Sequence, residues 1–105
     1  LSIEKTKDGF SISQDECTGA DKGKAEVKNE TISAGQSDVF FRVNVGADAM
    51  CSFSYSLDGK KFTKIGKTFK AREGKWIGAK VGVFCSRPIS NNDGGRMEID
   101  WFRVD

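Results

Sequence analysis

Apolar and polar residues alternate along most of this chain, with the period of a strand that buries one face. In residues 39–45, Val39, Phe41, Val43 and Val45 fall on one side, and Phe40, Arg42 and Asn44 on the other. The run 50–56 repeats the pattern, with Cys51, Phe53 and Tyr55 opposed by serines. Leu57-Asp58-Gly59-Lys60 follows, and an Asp-Gly pair between alternating runs is a hairpin signal. Asp58 and Gly59 are therefore structural candidates. Phe62 and Ile65 continue the returning strand. Residues 76–84 predict another strand, interrupted by Gly78 and Gly82, which mark a bulge or a close backbone approach. In 97–104, Met97, Ile99 and Trp101 share one face, while Glu98, Asp100, Phe102 and Val104 share the other.

The first third is less regular. Residues 1–5 and 10–13 predict short strands, and 25–32 a third anchored by Val27 and Ile32, with loops at 19–23 and 35–38. No segment keeps helical periodicity over three turns. Short strands separated by turn signals predict an all-β, antiparallel β-sandwich, with a barrel as the other closure. Tyr55 and Trp101 are in phase with apolar neighbours and are expected to face inward. Trp76 opens its run from the polar stretch Glu73-Gly74-Lys75 and belongs at an edge or interface. Phe40, Phe102 and Val104 make two of the strands apolar on both sides, so cover is expected on both. A chain left without that cover would expose an apolar face and open edges, which invites self-association.

Length and composition narrow the function classes. The 105 residues suffice for one domain, and 37% hydrophobic with 30% charged residues is ordinary for a soluble protein. One proline and twelve glycines suit many turns. A net charge of +2, with lysines scattered from Lys5 to Lys80, provides no footprint for nucleic acid. No apolar run approaches membrane-spanning length.

Searching for chemistry returns mostly absences. Without histidine, Ser-His-Asp and Cys-His arrangements are impossible. Cys17, Cys51 and Cys85 form no CxxC pair, so no metal site is expected. Buried free thiols are the expectation, with one disulfide as the alternative. Glu98 and Asp100 share a strand face about 6.5–7 Å apart. Glycosidase carboxylates, however, flank the sugar from opposite sides. Asp100, between Ile99 and Trp101, is instead expected to be a structural acceptor of hydrogen bonds. No catalytic residue and no cofactor is expected. Calcium is the one alternative, at Asp15-Glu16 with Asp21 or at Asn91-Asn92-Asp93, and neither loop supplies a defined ligand set. Asn29-Glu30-Thr31 matches a glycosylation triplet, a pattern that also arises by chance.

The segments FSYSLDGKKFTKIG (53–66), WIGAKVGVF (76–84) and MEIDWFRVD (97–105), in that order and preceded by VFFRVNV (39–45), carry a resemblance. Together they resemble the C-terminal concanavalin-A-like, jelly-roll type β-sandwich of glycoside hydrolase family 43, over residues 39–105. The family's enzymes are mainly β-xylosidases and α-L-arabinofuranosidases, and their catalytic acid and base lie in a separate propeller. The resemblance therefore implies a non-catalytic accessory domain, partnered by a catalytic propeller and, through it, by plant cell-wall polysaccharide. It implies that this chain is about half of a larger sandwich, with its apolar face covered either by a second chain or copy or by a second sheet formed from residues 1–38, and it fits an extracellular or periplasmic bacterial location. It also implies one site residue. An aromatic-x-Gly-Ala-x-Val-Gly motif in the family brings an aromatic towards the propeller's pocket. Here that motif begins at Trp76, where the family more often has Phe. An independent carbohydrate-binding or lectin-like module and a purely structural sandwich are the alternatives.

Overall fold

The structure, a computed structural model, describes residues 1–74, 78–87, 89–90 and 94–105. Six strands build two antiparallel three-stranded sheets, each a meander in chain order. The first sheet holds β1 (Ser2–Thr6), β2 (Gly9–Glu16) and β3 (Val27–Ala34). The second holds β4 (Phe40–Val45), β5 (Met50–Ser56) and β6 (Thr63–Lys70). Short 3-10 turns at Ala20–Lys22 and Ala47–Ala49 complete the secondary structure of the described residues.

Register follows the alternation. Ile3 pairs with Ile12 and Ile12 with Ile32, so one face of the first sheet is apolar. In the second, Phe41 pairs with Tyr55, Val43 with Phe53, and Phe53 with Ile65. These faces meet where β6 lies against β2 and β3. Ile12, Ala34 and Ile65 form the buried centre, and Ile3, Phe10, Phe53 and Tyr55 pack around it.

Each sheet contains a register break. The β2–β3 ladder shifts at Gln14/Asp15, which leaves Asn29 as the extra residue between Glu30 and Lys28. The β5–β6 ladder shifts between Cys51 and Phe53, where the β6 partners are Phe69 and Ile65. Gly66 lies within that bulge at φ +71°.

The core is small for the chain. A compact 105-residue domain would have a radius of gyration of about 13 Å, against 14.7 Å observed. The inner face of the second sheet extends beyond the first sheet, so Phe41, Val43 and Val45 on β4 are 38%, 39% and 61% exposed. Among the described residues β4 ends its sheet, so its outer backbone edge is also unpaired by them.

Several expectations need correction. The described parts of 76–84 and 97–104 are not strands. Alternation makes a segment fit to be a strand, but a strand exists only where an edge accepts its hydrogen bonds. Neither run pairs with one in its described part, and Val83, Phe84, Ile99 and Val104 stay 51%, 83%, 52% and 85% exposed. For the same reason Trp101 is exposed rather than inward, touching Phe40 at a ring-centroid distance of 6.2 Å. In 39–45, Val39 precedes the strand, and Phe41, Val43 and Val45 point inward to a face that the first sheet does not reach.

Candidate functional site

Where the sheets face each other, polar side chains replace part of the apolar core. Gln14 follows Ile12 on the inward side of β2 and is fully buried. Its Oε1 accepts from Asn29 Nδ2 at 2.9 Å and from the backbone N–H of Lys67 at 3.2 Å. Glu30 Oε2 accepts from the N–H of Gly66 at 2.6 Å. The two register breaks are thus complementary. One sets Asn29 against Gln14 and Glu30 towards the second sheet, and the other frees the amides of Gly66 and Lys67 to donate to Glu30 and Gln14. Gly66 is required twice here, by its left-handed φ and because a Cβ would lie 2.6 Å from Gln14 Cβ. Gln14 Nε2 has no partner among the described residues. The reverse amide orientation would set an NH2 against two donors, so Oε1 is the atom that faces Asn29 and Lys67.

This clamp continues to the end of the sandwich. Asn29 Nδ2 also donates to Glu16 Oε2 at 3.2 Å, and Thr18 Oγ1 lies 3.4 Å from Glu16 Oε1. Beside Glu16 opens a crevice of about 360 Å³. Its lining includes Glu16 and Thr18 from the β2 end, Phe53 and Phe69 from the second sheet, and Lys70 and Arg72. The two Phe rings stack at 5.4 Å between centroids and 24° between planes.

The residues singled out from the sequence lie elsewhere. Asp58 and Gly59 organise the β5–β6 turn. The Asp58 carboxylate accepts from the N–H groups of Lys60 (2.8 Å) and Lys61 (3.0 Å) and from Ser56 Oγ (2.8 Å). The Lys61 amide first, then that of Lys60 and the Ser56 hydroxyl, holds its pKa down to about 2. Gly59, at φ +72°, leaves room for the Phe40 ring, which a Cβ would approach to 3.0 Å. Trp76 lies outside the described residues, as do Asn91, Asn92 and Asp93.

Asp100 is exposed and accepts no hydrogen bond among the described residues, which corrects the expectation of a buried acceptor. That role needed 97–104 to be a covered strand. Glu98 is an exposed partner of Arg96 at 3.1 Å. All three cysteines are free thiols, with Cys51 buried, Cys17 intermediate and Cys85 exposed, so burial holds for one of the three. No group of three or more acidic or cysteine side chains that could hold a metal occurs among the described residues. Sequence reasoning missed Gln14, Asn29, Glu30 and Gly66. The available signals were a glutamine in phase with Ile12 and a glycine inside a strand run.

Comparison with known proteins identifies the setting of this architecture. The family model described as the beta xylosidase C-terminal concanavalin A-like domain matches residues 1–105. A protein of Formosa agariphila named beta-xylosidase is 40% identical over 53 residues, which is 50% of this chain and 9% of that protein. The match thus spans less than a tenth of the relative's length. No solved structure matches the chain.

Proposed function

The chain belongs to the family of beta-xylosidase C-terminal concanavalin A-like domains, and from that premise we propose that it packs, without catalysing, against the catalytic unit of a parent glycoside hydrolase. One observation carries the reading. The inner face of the second sheet ends in a bare strip, Phe41, Val43 and Val45, on a strand whose outer edge has no neighbour among the described residues. A contiguous apolar face next to an open edge is what an interface offers before its partner is present. The partner is the rest of the parent polypeptide, consistent with a relative more than ten times longer than the matched segment. The same reading covers further strands of a larger sandwich, since strands added beside β4 would pair its open edge and strands added to the first sheet would cover this strip.

Catalysis is assigned to that other part. Glu98, half of the carboxylate pair singled out from the sequence, is exposed and engaged by Arg96. Xylosidic or arabinosidic plant polysaccharide is then the parent's substrate class, and an extracellular or periplasmic location suits it. The test places Val43→Asp and Val45→Asp in the intact parent. A buried charge at a protein interface costs several kcal/mol, so the catalytic unit should melt earlier and lose turnover. Unchanged melting and turnover in both variants would reject the docking role. The chain alone is expected not to hydrolyse aryl xylosides. Turnover that survives purification and is abolished by Glu98→Gln would reverse that assignment.

A further inference from the structure

The crevice at the end of the sandwich has two unlike walls. One is aromatic, where Phe53 and Phe69 brace each other face to face and are only half-buried. The other is polar. Glu16 is held there by Asn29, whose amide is fixed in turn by the fully buried Gln14. Its carboxylate is therefore an acceptor set in place before any ligand arrives. Lys70 and Arg72 stand at the same crevice, and their side chains have no partner among the described residues. Thus a fixed acceptor and uncommitted donors flank an apolar wall. The volume of about 360 Å³ is at the lower end of ligand clefts, which run to about 300–1,000 Å³.

We propose that this crevice binds one sugar ring of a neutral oligosaccharide. A pyranose presents an apolar C–H face together with hydroxyls that both donate and accept. It matches an aromatic wall flanked by Glu16 on one side and by Lys70 and Arg72 on the other. The charge selects a neutral ligand. Asp15 and Glu16 offset Lys70 and Arg72 around the rim, so an anionic chain attracted by the cations would meet the carboxylates. Asp15 itself is already engaged by the hydroxyls of Ser2 and Ser13. Glu16 is therefore the working acceptor. The sugar class rests on the reading of the parent as a glycoside hydrolase, whereas the location and the preference for a neutral ring rest on the crevice.

Affinity electrophoresis of the intact parent in gels containing arabinoxylan tests the proposal. The wild type should be retarded. Arg72→Ala and Glu16→Gln should each weaken the apparent affinity about tenfold, as loss of one charged hydrogen bond would. Turnover of a small aryl xyloside should stay unchanged in both. Polygalacturonate, an anionic chain, should give no retardation. Retardation equal in wild type and variants would locate the binding elsewhere, and none in the wild type would remove the site. Preferential retardation by polygalacturonate would overturn the choice of a neutral ring. The strip variants Val43→Asp and Val45→Asp keep the crevice residues, so their retardation separates failure of this site from failure of the docking role.

Discussion

Residues 50–56 and 97–104 alternate apolar and polar side chains in the same way, yet the first is the central strand of a sheet and the second is no strand. The difference lies in their neighbours. β5 has β4 on one side and β6 on the other. The later run has contact with the fold through Trp101 and Phe40 but adds no ladder. Periodicity therefore reports what a segment can bury, and pairing decides whether it does.

The largest expected effect contrasts two isoleucines. Ile65 is 1% exposed at the meeting point of the sheets. Ile65→Ala should cost about 2–5 kcal/mol, measured as loss of unfolding free energy in urea. The next effect probes the clamp. Gly66→Ala should cost about 1–3 kcal/mol for the left-handed backbone, and more for the collision with Gln14. Adding Gln14→Ala should recover the collision part and leave the backbone part. Strictly additive costs would mean that the two positions do not meet.

A smaller effect concerns Asp58. Its pKa is lowered by the amides of Lys61 and Lys60 and the Ser56 hydroxyl, so the folded state prefers the carboxylate. That contribution is fully present above the unfolded value of about 3.9. It is lost as pH falls from there to about 2. Asp58→Asn should remove the acid sensitivity of the turn in that window, read from the Gly59 and Lys60 amide signals. An unchanged titration would assign the sensitivity to another group. The smallest effect completes the contrast. Ile99 is 52% exposed, and Ile99→Ala should change stability by no more than about 0.5 kcal/mol. A cost matching that of Ile65→Ala would break the comparison between the two regions.

What was legible in the sequence was local. The expected run 50–56 coincides with β5, and 39–45 differs from β4 only at Val39. The roles of Asp58 and Gly59 followed from a turn that satisfies itself within a few residues. The inter-sheet clamp was not legible, because Gln14 and Lys67 are 53 positions apart. Neither residue type announces the other. That 97–104 and the described part of 76–84 form no strands was not legible either, because period 2 does not say which edge would receive a strand. The exposure of Asp100 has the same cause, since its burial would require a covered strand there.

The Gly66 bulge also has a consequence for how this sequence can drift. Gly66 has no tolerance for a side chain while Gln14 occupies the space above it, so the two positions are bound to change together. A descendant that acquires alanine at 66 must first, or at once, exchange Gln14 for something smaller. Asn29 would then lose its acceptor there, and its hold on Glu16 would loosen. Among diverged copies of this domain, paired substitution at 14 and 66 should be traceable, with the residue at 29 changing after them rather than before.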